Sequence, residues 1–226
     1  MNEAPGRKLV ALYRELAQRG MNTGAAGNVS LRNAPGMLIT PSGFSPETIT
    51  PKRLVEMTLD GRARGKIAPS SEWEMHALIY LAYPDARCIV HTHADACTAL
   101  ACLGEGLPAF HYMIATFGGD DVRCAGYATF GTRALAELAV QALADRKACL
   151  LANHGMLVLA EDAEAALSRA LLLETLCRQY LLARAAGVVR TLTRTEMQRA
   201  HQRFKTYGPG SPVRQWQRDN AKPHSA

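Results

Sequence analysis

Leu9, Val10, Tyr13 and Leu16 recur at the three- and four-residue spacing that gathers apolar side chains on one helix face. The pattern predicts a helix over residues 5–19, ended by Gly20, which suits the left-handed position after a helix terminus. Gly27–Arg32 and Met37–Thr40 then read as two short strands joined by Asn33-Ala34-Pro35-Gly36, a β-hairpin with explicit turn chemistry. Ser70-Ser71-Glu72 precedes the periodic run Met75, Leu78, Ile79, Ala82, so a serine is expected to cap a helix that stops before Pro84, with Glu72 in its first turn. Cys88-Ile89-Val90 predicts a strand ending at His91 and His93, followed by a helical pattern from about Ala94 to Cys102. Ala148–Ala152 and Met156–Leu159 are two apolar strands broken by Asn153-His154-Gly155, which places His154 in a turn. A long helix from Glu161 to about Ala186 and a last one near Thr193–Tyr207 complete the pattern, before the breaker run Gly208-Pro209-Gly210-Ser211-Pro212. Strands and helices mix without strict βαβ alternation and without internal repeats. The expected class is α/β, a single domain with a central mixed or largely antiparallel sheet flanked by helices.

The length of 226 residues suits one domain, residues 1–207, with 208–226 as a basic, flexible tail. No run approaches the roughly 20 apolar residues of a membrane-spanning helix, and Met1–Lys8 lacks the apolar core of a secretory signal. A cytoplasmic location away from membranes is therefore expected. The six cysteines form no CxxC pair and mostly sit in apolar runs, which predicts buried free thiols. The formal charge of +6 raises nucleic acid as a partner, but its location removes the suggestion. Eight Lys and Arg against two acids from Arg190 onward account for all of it, leaving a neutral body. A basic end without interleaved aromatic platforms reads as a solvated tail rather than a nucleic-acid surface.

His91 and His93 are two residues apart on a strand, so both project to one side and can reach one metal ion. His154 offers a third imidazole from its turn, and three neutral imidazoles beside a vacant position are what catalytic zinc requires. Cobalt, manganese or iron could use the same ligands. The histidine pair alone is as readily two unrelated polar residues; the third histidine and an acidic partner carry the inference. Glu72 is the candidate proton-transfer group, although a first-turn glutamate also commonly complements a helix dipole. His76, one turn further on, could contact it, but a structural role is the commoner one for such a histidine, and it stays outside the catalytic set. Gly27-Asn28, Ser42-Gly43 and Ser70-Ser71 are small polar pairs whose N–H groups and hydroxyls could surround a phosphate. Such pairs are common in turns, and spacing alone does not unite them.

Taken in order, Gly27-Asn28-Val29-Ser30, Ile39-Thr40-Pro41-Ser42-Gly43, Pro69-Ser70-Ser71-Glu72-Trp73, His91-Thr92-His93 and Asn153-His154-Gly155 resemble the class II aldolase/adducin family. His111–Ala115, Tyr127–Arg133 and Phe204–Gly208 extend the resemblance over roughly residues 8 to 208. It implies one zinc ion per subunit held by His91, His93 and His154, with Glu72 on the metal in the empty site and then free to act as acid/base. It also implies a phosphate site of Gly27, Asn28, Ser42, Gly43, Ser70 and Ser71. Tyr112, Phe130 and Tyr207 are implied to approach the aldehyde end of a phosphorylated sugar, some of them from a neighbouring subunit of a homotetramer, with Tyr112 and Tyr207 in catalytic roles.

The implied reaction is cleavage of a ketose 1-phosphate, L-fuculose 1-phosphate or a related deoxy-pentulose 1-phosphate, into dihydroxyacetone phosphate and a small aldehyde. Retro-aldol cleavage leaves a carbanion beside a carbonyl, and a Lewis-acidic zinc ion stabilises the resulting enediolate while Glu72 shuttles the proton. Three alternatives stay open. A methylthioribulose-phosphate dehydratase would share the ligands, and a pentulose-phosphate 4-epimerase fits Ser70-Ser71-Glu72-Trp73 less well. An adducin-like assembly module would have no reason to keep three histidines with Glu72.

Overall fold

Alternation along the strands divides the protein into two cores. The computed structural model describes residues 3–207. Its strands are β1 (Asn28–Asn33), β2 (Gly36–Ile39), β3 (Val55–Thr58), β4 (Cys88–Thr92), β5 (Arg123–Ala125), β6 (Ala148–Leu151) and β7 (Gly155–Ala160). The helices are α1 (Glu3–Gln18), α2 (Trp73–Ala82), α3 (Asp95–Cys102), α4 (Arg133–Ala142), α5 (Ala163–Ala186) and α6 (Arg194–Phe204), with 3-10 turns at Pro51–Arg53 and Tyr112–Phe117. The strands make one sheet in the order β3-β2-β1-β4-β7-β6-β5, in which β5 and β6 run parallel and the other neighbours antiparallel.

Cys88, Val90, Ala148, Leu150, Met156 and Val158 face a core shared with α1, α3 and α5. Their alternates Ile89, Cys149, Leu151, Leu157 and Leu159 face a second core covered by α2 and α4. The central strands are thus buried on both sides, which is why β4, β6 and β7 appear in the sequence as unbroken apolar runs. This is the mixed α/β sheet flanked by helices that the pattern predicts.

Several boundaries differ from expectation. The long helix begins at Ala163 because Asp162 caps it, accepting from the Ala165 N–H at 2.8 Å. The last helix starts at Arg194, behind a reciprocal capping box between Thr193 and Glu196. The expectation of buried thiols holds for Cys88, Cys97, Cys149 and Cys177, whereas Cys102 is exposed at the end of α3 and Cys124 is half-buried. All six are free. The expected basic tail, 208–226, lies outside the described residues. Among those residues no helix is long and apolar enough to cross a membrane.

α3 starts directly after the histidine pair, and its own N-cap, Ala94, has no side chain able to cap it. The buried Glu174 of α5 substitutes, its two oxygens accepting from the Ala96 and Cys97 N–H groups at 3.0 and 2.9 Å. The carboxylate also complements the positive end of the α3 dipole. Glu174→Ala leaves both donors unpaired, so it is expected to cost about 2 kcal/mol. For a chain of this size that lowers the melting temperature by roughly 4–8 °C, which a thermal melt of variant against wild type would read. An unchanged melt would mean that water caps the helix as well as Glu174 does.

Candidate active site

Asn28 opens β1 and pairs with His91 at the end of β4, while Thr92 pairs with Met156 near the start of β7. Three neighbouring strands thereby end at one point. His91 is fully buried, and its Nδ1 lies 2.9 Å from the Met156 carbonyl. A carbonyl can only accept, so Nδ1 carries a proton and Nε2 is directed into the site, where it meets Glu72 when protonated and offers a lone pair to a cation when not. His93 follows on the same side of the chain; its backbone N–H donates to Asn22 Oδ1 at 3.2 Å. His154 is presented by the β6–β7 turn. Asn153 adopts the left-handed conformation there (φ 55°) and donates its N–H to Ala101 O, and the His154 N–H closes on Leu151 O at 3.0 Å.

The three rings enclose a common centre almost symmetrically. Their centroids are 4.9, 4.7 and 4.9 Å apart, with interplanar angles of 71°, 72° and 70°. One ring nitrogen from each lies within 4.8 Å of the others. Two glycines make this closeness possible. A Cβ on Gly155 would strike the Thr92 carbonyl, and one on Gly27 would strike Asn22 and lie 2.7 Å from the His91 carbonyl. Gly27 is also left-handed, with φ 71°. Gly27→Ala combines that strain with backbone overlap and is expected to cost about 3 kcal/mol, read by chemical denaturation. Loss of bound metal should accompany it, because Asn22 is displaced from His93.

Glu72 corrects one expectation. It is not in the first turn of α2 but at the N-cap, and neither it nor a serine makes a side-chain cap there. Ser70 Oγ instead accepts from the Glu72 N–H at 3.3 Å, and Trp73 N–H bonds to Ser70 O. The carboxylate is thereby free to turn into the site. Oε2 lies 3.1 Å from His91 Nε2 and accepts from Asn28 Nδ2 at 2.9 Å, and Oε1 lies 3.5 Å from His154 Nε2.

Electrostatics set these protonation states. Burial pushes the Glu72 carboxyl up, but the His91 charge and hydrogen bond, then His154 and Asn28, outweigh it and hold it well below the usual carboxylate range. Burial pushes His91 down, and Glu72 more than reverses this. His93 and His154 are lowered to about 4, first by burial and then by the positive charge of His91. Glu72 therefore stays ionised while His93 and His154 stay unprotonated, with lone pairs free to bind a cation. His91 Nε2 and His93 Nε2 are only 3.0 Å apart, and Glu72 Oε1 is buried without a hydrogen-bond partner. A cation among them would satisfy all of these atoms, and three imidazoles with one carboxylate match zinc.

The expected phosphate-site residues, which spacing did not connect, meet here. Gly27, Asn28, Ser42, Gly43, Ser70 and Ser71 line one cavity of about 360 Å³ together with Glu72, His93 and His154. Phe130 lines it as expected, joined by residues outside the initial set, notably Tyr127, Ala128 and Asn153. Tyr127 belongs to the Tyr127–Arg133 motif and Asn153 to Asn153-His154-Gly155, so both carried a signal. Tyr112 and Tyr207 are not brought to the cavity within one chain. Both are exposed, and Tyr112 stacks between His111 and Phe204 where the 112–117 turn packs on α6. The His76 N–H bonds to the Glu72 carbonyl at 3.4 Å in the first turn of α2, but its ring does not meet the carboxylate; the two side chains are linked through Asn28.

With a zinc-like ligand set at the floor of a polar cavity and a layered sheet around it, the chain belongs to the Class II Aldolase and Adducin N-terminal domain family, whose pattern matches residues 7–181. Within that family it falls with the metal-dependent sugar-phosphate aldolases, which are carbon–carbon lyases. It is 44% identical over 205 residues to a 5-methylthioribulose-1-phosphate/5-deoxyribulose-1-phosphate aldolase of Rhodospirillum rubrum, covering 91% of this chain and 93% of the relative. It is 42% identical over 203 residues to an L-fuculose phosphate aldolase of Escherichia coli strain K12, covering 89% and 94%. A solved L-fuculose 1-phosphate aldolase superposes with a TM-score of 0.87 at 38% identity, over 91% of this chain and 98% of that one.

Proposed function

We propose that the protein is a zinc-dependent aldolase that cleaves a ketose 1-phosphate into dihydroxyacetone phosphate and a small aldehyde. The observation that carries this is the meeting of His93, His154 and Glu72 with the Asn28, Ser42, Gly43, Ser70 and Ser71 wall in one cavity, with buried His91 completing the histidine cluster behind it. Backbone N–H groups, hydroxyls and the Asn28 amide bind the phosphate on that wall. This fixes the sugar so that its carbonyl end lies over the histidines. Zinc, when bound by the three imidazoles, supplies a Lewis acid that acts as electron sink for the cleaved bond.

Cleavage removes the proton of the C4 hydroxyl, breaks the C3–C4 bond with its electrons left on C3, and returns a proton to C3. Glu72, which touches both His91 and the cavity, handles the proton at C3. Tyr112 and Tyr207 meet the aldehyde oxygen from a neighbouring subunit of a homotetramer, since neither reaches the cavity of its own chain. The sugars named for the relatives, L-fuculose, 5-deoxyribulose and 5-methylthioribulose phosphates, share an apolar terminal group on the aldehyde fragment. Ala25, Ala26, Pro41, Ala128 and Phe130 give the cavity an apolar side suited to it.

The test is a cleavage assay of zinc-loaded protein on these three ketose 1-phosphates, following dihydroxyacetone phosphate. Release that stops on chelation is expected with at least one of them. Loss of water from methylthioribulose 1-phosphate without carbon–carbon cleavage would replace the aldolase by a dehydratase.

A further inference from the structure

Between the sheet and α2, in a layer built mainly of apolar side chains, four buried polar side chains stand in a row behind Glu72. Ser30, His76 and Tyr80 are at most 1% exposed, and Asn28 is 4% exposed. Tyr80 Oη is 2.9 Å from Ser30 Oγ, Ser30 Oγ is 2.7 Å from His76 Nδ1, His76 Nε2 is 2.6 Å from Asn28 Oδ1, and Asn28 Nδ2 is 2.9 Å from Glu72 Oε2. Burying so many polar groups is costly unless every one is paired.

The donor at each link follows from the end of the chain. The Glu72 carboxylate can only accept, so the Asn28 amide presents its NH₂ edge to it and its oxygen to His76. That oxygen can only accept, so His76 carries its proton on Nε2. Neutral His76 then has a bare Nδ1, which Ser30 must serve as donor. The Ser30 oxygen in turn accepts from Tyr80, whose other acceptor, the Arg87 carbonyl, is 3.5 Å away. The ring is fully buried, with the Ser30 hydroxyl and the Asn28 amide on its nitrogens and no carboxylate against either, an environment that favours the neutral imidazole.

We infer that His76, locked as the Nε2–H tautomer by Ser30 and Tyr80, is a positioning residue that fixes the Asn28 amide with its NH₂ edge toward Glu72 and the cavity. Without the His76 donor the amide can rotate by half a turn, and its oxygen would then face a carboxylate that repels it. The second N–H of Asn28 would also leave the phosphate wall. His76 thus couples the proposed phosphate site to the proposed acid/base. This rests on the aldolase assignment for its catalytic consequence, but the hydrogen-bond chain stands on the geometry alone.

Two variants separate positioning from bulk packing. His76→Leu fills the space without a donor; His76→Gln can place an amide N–H near the position of Nε2. Lost support for a metal-site residue typically costs 10–100-fold, so kcat of zinc-loaded His76→Leu should fall by about 100-fold, while His76→Gln stays within about 10-fold of wild type. Zinc content should remain at one per chain in both, because the three ligands are untouched. Equal losses in the two variants, or no loss in either, would overturn the proposal.

A second measurement needs no variant to be active. In zinc-loaded wild type labelled with ¹⁵N-histidine, one ring whose signals vanish in the His76→Gln spectrum should show a protonated Nε2 and a bare Nδ1 from pH 6 to pH 8. The opposite tautomer, or titration across that range, would overturn the proposal. Wild type that cleaves no ketose 1-phosphate would sink the aldolase assignment and the catalytic role with it, while the tautomer would still decide the chain of hydrogen bonds.

Discussion

Replacing His93 with alanine should empty the metal site and lower kcat/KM for ketose 1-phosphate cleavage by at least about 10³-fold, since Lewis-acid stabilisation is worth several kcal/mol and each 1.4 kcal/mol is tenfold. The variant should nevertheless fold. His93 lies beyond the end of β4, is only half-buried, and is anchored through its backbone N–H to Asn22, a bond that alanine keeps. With its imidazole lowered to about 4, His93 is a neutral ligand at physiological pH, so its loss removes a donor and no charge. Metal analysis of the purified variant, a thermal melt against metal-free wild type, and the cleavage assay would test this together. Chelated wild type should match the variant in rate. A variant free of zinc yet as active as wild type would end the case for a catalytic metal.

The second large effect is expected at Glu72, and there the metal should remain. Glu72→Gln preserves shape, and the amide oxygen can still accept from Asn28 Nδ2, but it cannot carry a proton. Loss of a general acid/base costs about 10²–10⁴-fold in kcat, with KM changed little because the phosphate wall is intact. The split between zinc content and kcat is informative in either direction. Zinc lost with the carboxylate would make Glu72 a required ligand. A raised KM at unchanged kcat would make it a binding group only.

The parts of this site that sequence could reveal are those governed by local rules. Period-two alternation put His91 and His93 on one side, and apolar runs on either side of Asn153-His154-Gly155 exposed a turn, because these strands are central and buried on both faces. Glu72 was found as a residue but misplaced by one step, since the serines before it bend the chain instead of capping α2. β3 and β5 passed unnoticed for a physical reason: Val-Glu-Met-Thr and Arg-Cys-Ala are too short and too mixed to show a period. The pattern of α4 was legible, since Leu135, Ala136, Ala139 and Ala142 are buried while Arg133, Glu137 and Gln141 are exposed. The phosphate wall was visible only as separate turn-like pairs, and it takes β1, the loop after β2 and the entry to α2 to unite them. His76 looked structural because nothing in its neighbourhood in sequence reveals that Asn28, 48 residues away, waits on its Nε2.

The strand order carries a consequence for how the protein acquires its metal. β7 lies between β4 and β6 in the sheet but follows both in the chain, so the partner that completes the site beside His91 is made after them. A nascent chain that has reached only β6 holds two histidines beside an unpaired strand edge, without the Met156 carbonyl that orients the first of them. Closing the sheet through this long-range pairing is intrinsically slow, and tight metal capture by the three histidines has to wait for it. The metal is therefore positioned to latch a finished sheet and not to nucleate an unfinished one.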